Sequence, residues 1–138
     1  MTVKIENAYI FNTEKRKFEY GSICFENGIL TEEISAPDTV VDAEGGYVLP
    51  GLIDVHTHGR CGMDIMDADP KTLTALSRAY AESGVTTVFP TIMTAPVEKL
   101  KTSIENIKNA EPVCDFAGIH IEGPYISAKK PGCHDTSV

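Results

Sequence analysis

The sequence predicts an α/β fold, with parallel strands alternating with helices over residues 50–138 and a short β unit over residues 1–49. Two patterns carry that prediction. After Pro50-Gly51, three apolar stretches alternate with two amphipathic ones, and this β-α-β-α-β order with short connections implies parallel strands and right-handed crossovers. Before it, Asn27-Gly28 lies between two short apolar stretches, a hairpin signal because both positions tolerate positive φ. With 138 residues and 42% hydrophobic content, the chain has enough apolar surface for a core of ordinary size.

Each element has its own local reason. Residues 3–11 alternate loosely as a strand, and FEYGSICFENGILTEEI supplies the two arms of the hairpin. Thr39 to Val41 is a further short stretch before a turn at Glu44-Gly45-Gly46, so residues 1–49 read as part of a small antiparallel β unit without visible chemistry. LIDVH is nearly continuously apolar, as a strand covered on both faces should be. Asp69-Pro70 offers an N-cap and an N1 proline to a helix with Leu73, Leu76, Ala79 and Tyr80 on one stripe and Gly84 as its stop. TTVFP (86–90) is the second strand. A second helix begins near Pro96, with Val97, Leu100, Ile104 and Ile107 on a single face. FAGIHIEGP (116–124) is the third strand, ended by Gly-Pro.

Charge and composition narrow the function. A net charge of −8 argues against nucleic acid or an anionic membrane surface as a partner. No apolar run approaches a spanning helix, and MTVKIENAYIFNTEKRKFEY lacks a signal-peptide core. Cys24, Cys61, Cys114 and Cys133 are scattered without a CxxC pair, which reads as free thiols in a reducing, cytoplasmic setting.

The chemistry gathers at strand ends. His56 and His58 are one residue apart at the end of LIDVH, so both imidazoles leave on one side. Parallel α/β folds collect their sites at the carboxyl ends of strands. Glu122 ends the third strand, where a charge is costly unless paired or metal-bound. His56, His58 and Glu122 are therefore candidate ligands of a divalent metal. His120 faces the same way as Glu122 by parity, as a core histidine or a neighbour of the site. Asp54 either orients a ligand or fixes the backbone. Lys129, Lys130 and His134 form a small basic cluster, by default a solvated loop, in a place where an anionic substrate would be met.

PGLIDVHTHG resembles the metal-binding first strand of the amidohydrolase superfamily. Joined with GVTTVFPTIMT, GIHIEGPYIS and KKPGCH, it resembles more narrowly the N-acetylglucosamine-6-phosphate deacetylase family, over residues 40–134. The resemblance implies a TIM-type (β/α)8 barrel joined to a small β-sandwich. This chain would hold the barrel's first three strand–helix units and part of the sandwich. It also implies Glu122 as ligand of the catalytic metal, zinc or iron, with His56 and His58 supporting a second metal in members that keep one. Cys133 and His134 match a substrate-contacting pair, although this chain has Pro131 and Cys133 where the family usually has lysine and a small residue. The implied substrate is N-acetylglucosamine 6-phosphate, hydrolysed to glucosamine 6-phosphate and acetate by a protein that is homo-oligomeric when full length. The family's catalytic aspartate and two later histidines would lie beyond residue 138, so no catalytic base is assigned. The 138 residues are expected to be an inactive N-terminal part. Two rival readings are another amidohydrolase, such as a cyclic amidase or deaminase, and a non-catalytic metal-binding piece built on His56, His58, Cys61 and the Cys133-His134 pair.

Overall fold

The computed structural model describes residues 1–137, in two compact units, Met1–Pro50 and the stretch from Gly51 onward. In the first, β1 (Thr2–Asn12) and β2 (Lys17–Glu26) form a long antiparallel hairpin running from Thr2↔Glu26 to Asn12↔Lys17. Its register shifts between Ile5 and Ala8, where Asn7 takes φ 56°. Asparagine bears this left-handed conformation better than most residues, and here its side chain is held by Asp42 and Tyr20. Asn27 and Gly28 turn the chain into β3 (Ile29–Thr31) with φ of 50° and 82°, as their identities predict.

The antiparallel expectation for this unit fails at its end. β4 (Thr39–Asp42) and β5 (Tyr47–Val48) both pair with β1 in parallel, so the sheet is mixed. A run of apolar residues specifies extended backbone, while the direction in which it joins a sheet is set by the connection before it.

The second unit begins with β6 (Leu52–Thr57), followed by a tiny hairpin of β7 (Gly59–Arg60) and β8 (Met63–Asp64). After α1 (Pro70–Ala81), the central strand β9 (Val85–Met93) pairs in parallel with β6. After α2 (Val97–Lys108), β9 pairs in parallel again, with β10 (Asp115–Phe116) and β11 (His120–Glu122). The third predicted strand is thus broken in two. Residues 117–119 leave the ladder where Gly118 presses against the Phe89 ring, which a Cβ there would meet at 3.2 Å.

The helices start and stop where the sequence places them. Asp69 Oδ1 accepts from the Thr72 N–H at 2.7 Å, Pro70 occupies the first turn, and Gly84 leaves α1 with φ 80°. Leu73, Leu76 and Tyr80 of α1 bury with Leu100 and Ile107 of α2, Val88 and Ile92 of β9, and Ile65. Two stripe positions differ from expectation. Ala79 is only half-buried and Val97 is 59% exposed, whereas Ser77 and Ser103 are buried. Both hydroxyls are satisfied. Ser77 Oγ donates to the Thr74 carbonyl and accepts from the Val113 N–H, and Ser103 Oγ reaches the carbonyls of Met66 and Lys99.

Leu76 has no exposed surface. Leu76→Ala is expected to destabilise the second unit by about 2–5 kcal/mol, the range for emptying a leucine site that can only partly collapse. A urea titration of the variant beside wild type measures it.

The expectation of a strand covered on both faces is not met by β6, whose Leu52, Ile53 and Val55 remain 63%, 64% and 61% exposed. Among the described residues no helix is long and apolar enough to cross a membrane.

Candidate metal centre

The end of β6 is built to aim side chains in two directions. Asp54 faces Val88 and Thr57 faces Pro90, so β6 spends one residue more than β9 over this span, a bulge. Asp54 Oδ1 takes the backbone N–H of His56 there at 3.1 Å, which answers what that carboxylate does. Thr57 turns toward the helices: its N–H donates to Thr91 Oγ1 at 2.9 Å and its hydroxyl meets Tyr80 Oη. Burial pushes the Tyr80 phenol above its ordinary pKa, and its bond to Thr57 opposes that shift without cancelling it. His56 and His58, on either side of Thr57, share the opposite direction.

The loop behind His58 depends on glycine. Gly59 has φ 130°, and a Cβ there would lie 2.0 Å from the Met63 carbonyl oxygen. Only glycine lets β7 and β8 close, and the closed loop returns an N–H from Ile65 to the His58 carbonyl at 2.9 Å.

Glu122 arrives from β11, paired with Met93, the last residue of β9. Its Oε2 lies 3.1 Å from His56 Nε2 and 3.1 Å from His58 Nε2, and those two nitrogens are 3.3 Å apart. Its Oε1 lies 3.2 Å from His134 Nε2, while His134 Nδ1 lies 2.9 Å from Thr94 Oγ1. Burial pushes the Glu122 carboxyl up, but hydrogen bonds from His134 and His56 outweigh it and hold the group below the ordinary carboxylate pKa.

The three groups fit a transition-metal ion. Two imidazole nitrogens and a carboxylate oxygen lie within 4.8 Å of one another. A tetrahedral ion with bonds of about 2.0–2.1 Å needs ligand atoms about 3.4 Å apart, close to the spacing seen here. Among the described residues, three side chains are offered to such an ion. His58 Nδ1 is buried and has no hydrogen-bond partner among the described residues.

The other predicted residues fall as follows. His120 lies beside the cluster, its ring 4.5 Å from that of His56. His134 is drawn in, its side chain 7% exposed, whereas Cys133, Lys129 and Lys130 stay exposed in the loop. Neither Cys61 nor Cys133 joins the ligand cluster, so the thiolate-based rival site is not assembled among the described residues. Thr94 went unsuspected. Its only sequence signal was its place just past a strand's carboxyl end.

Residues 39–100 match the Amidohydrolase family. The chain is 38% identical to N-acetylglucosamine-6-phosphate deacetylase of Vibrio furnissii over 93 residues, covering 64% of this chain and 23% of that one. It is 28% identical to N-acetylgalactosamine-6-phosphate deacetylase of Escherichia coli O157:H7 over 126 residues, 88% of this chain and 33% of that one. Among solved structures, N-acetylglucosamine-6-phosphate deacetylase from Pasteurella multocida superposes with a TM-score of 0.85 at 25% identity, covering 99% of this chain and 38% of that one. The chain spans between 23% and 33% of the length of the first three curated relatives it matches. The HTH end of β6 lies inside the segment similar to the Amidohydrolase family, and the curated relatives named here are deacetylases of acetylated amino-sugar phosphates.

Proposed function

We propose that this chain supplies the metal-binding edge of a deacetylase acting on N-acetylglucosamine 6-phosphate, releasing acetate and glucosamine 6-phosphate. The convergence of His56, His58 and Glu122 at the carboxyl ends of β6 and β11 carries the reading. Residues 50–138 are read as the first three strand–helix units of a (β/α)8 barrel, whose sites lie at that end of the strands, and residues 1–49 as part of a small β-sandwich. Zinc or iron suits the two imidazoles and the carboxylate. When bound, such an ion supplies the Lewis acidity that amide hydrolysis needs.

The chain's own residues then have distinct tasks. Glu122, His56 and His58 hold the ion, and the Thr57–Tyr80 contact anchors the strand end that carries the two histidines. His134, with Nε2 beside Glu122 Oε1, and the exposed Cys133 are the candidate substrate contacts, in a loop that also offers Lys129 and Lys130 to an anionic sugar phosphate. None of the described residues is assigned as the general base.

Assay of the intact protein tests this. Acetate release from N-acetylglucosamine 6-phosphate is expected to vanish on chelation and return with added zinc or iron. The galacto epimer, run in parallel, decides between the two substrates named by the relatives. Full turnover after exhaustive chelation would overturn the metal reading, and no turnover of either epimer the substrate reading.

A further inference from the structure

We infer that Tyr80 of α1 is a positioning residue of this centre: through its hydroxyl on Thr57 it holds the end of β6 that aims His56 and His58 at Glu122. The inference rests on the metal-centre reading above and adds to it a residue outside the ligand set, on a different element.

The bulge creates the need for an anchor. In the register of β6 on β9, Asp54 faces Val88 and Thr57 faces Pro90, and Val55 and His56 between them have no partner on β9. Pro90 has no N–H to give. Backbone pairing therefore holds the histidine-bearing end of β6 poorly. Thr57 is held instead by two hydroxyls. Its N–H donates to Oγ1 of the fully buried Thr91 at 2.9 Å, and its own hydroxyl meets Tyr80 Oη. Successive residues of a strand point to opposite sides, so turning Thr57 toward the helices turns both of its neighbours toward Glu122. Either hydroxyl can be the donor, and the contact restrains both side chains whichever it is.

Tyr80 is placed for this task. It is 3% exposed and belongs to the core with Leu73, Leu76, Val88 and Ile92, so packing fixes its ring. Its hydroxyl and that of Thr57 satisfy each other where water has little access, and deleting one leaves the other wanting. Beyond His58, the Arg60 guanidinium lies over the same ring, 5.3 Å from its centroid. Residues 57 and 60 thus both rest on Tyr80, with His58 between them.

The test compares Tyr80→Phe, which keeps the ring and deletes its hydroxyl, with Thr57→Val, which deletes the other half of the contact, and Thr57→Ser, which keeps it. All are made in the intact protein. Competition against a chelating dye reports zinc affinity, a thermal melt reports folding, and amide exchange in the metal-free protein reports the strand end itself. Y80F and T57V are each expected to bind zinc about tenfold more weakly, the low end for losing a group that orients a metal ligand. The double variant is expected to lose no more than either alone, because one contact is being removed twice. T57S is expected to bind as wild type does. In Y80F the Thr57 N–H is expected to exchange at least about tenfold faster relative to the amides of α1, as a local opening would have it. A tyrosine that merely fills the core would shift the melt and leave zinc affinity and relative exchange unchanged. A folded Y80F that binds zinc as tightly as a zinc-binding wild type overturns the inference, and so does one whose Thr57 exchange keeps pace with α1. Should Y80F not fold, weaker binding in T57V than in T57S supports the anchor, and equal binding overturns it. Wild type that binds no zinc, with the exchange difference present in Y80F, would remove the metal reading and leave the Tyr80 anchor standing.

Discussion

Glu122→Gln in the intact protein is expected to lose the bound metal while the fold persists. The substitution keeps size and removes both charge and symmetry. The two oxygens of Glu122 serve different partners, Oε1 meeting His134 and Oε2 meeting His56 and His58. A glutamine can offer an oxygen to only one side. If its amide nitrogen turns to the histidine pair, two donors point where an ion should sit. If it turns to His134, an N–H faces an N–H. Metal affinity should fall by more than about 100-fold, beyond the 10–100-fold typical of losing an outer partner of a ligand, and turnover should fall with it. Elemental analysis gives the metal stoichiometry, and a thermal melt guards against simple unfolding. Wild-type zinc or iron content in a folded Glu122→Gln protein would remove Glu122 from the ligand set.

The pairing of His56 and His58 with Glu122 was legible because strand periodicity and strand polarity are both local properties. Two histidines one residue apart share a side, and a glutamate just before Gly-Pro marks a strand end. What escaped the sequence depended on partners. The bulge at Asp54–Thr57 exists only relative to β9, since LIDVH is the same string with or without an extra residue opposite Phe89. The parallel joining of β4 and β5 depends on how the chain returns to β1. Ser77 and Ser103 lie outside the apolar stripes that the sequence marks, and in the fold they are buried with carbonyls and an N–H from neighbouring segments meeting them. Thr94 is the same case at the site itself. Its contacts with His134 and Glu122 span 40 and 28 residues, a range no local pattern reports.

Residues 1–138 produced by themselves are expected to self-associate. β6, β10 and β11 each pair only with β9 among the described residues, so the sheet has open edges. Beside them Leu52, Ile53, Val55 and Ile121 are 63%, 64%, 61% and 54% exposed. Fully burying one such side chain is worth about 1.5–3 kcal/mol, so covering the exposed part yields about 1–2 kcal/mol each. Docking two copies costs about 4–15 kcal/mol in lost freedom and ordering. Contributions from both copies bring the two sides close to balance, and backbone pairing along the open edges tips it toward association. The result should be weak and concentration-dependent, with species above the monomer growing on dilution series run upward into the micromolar range. Ile53→Lys with Val55→Lys places two charges on β6, the usual way an exposed strand is kept from pairing, and should shift the population back toward monomer. Sedimentation velocity of both proteins over a range of concentrations measures this. A monodisperse wild-type monomer with a cooperative melt would overturn the expectation that these open edges drive association.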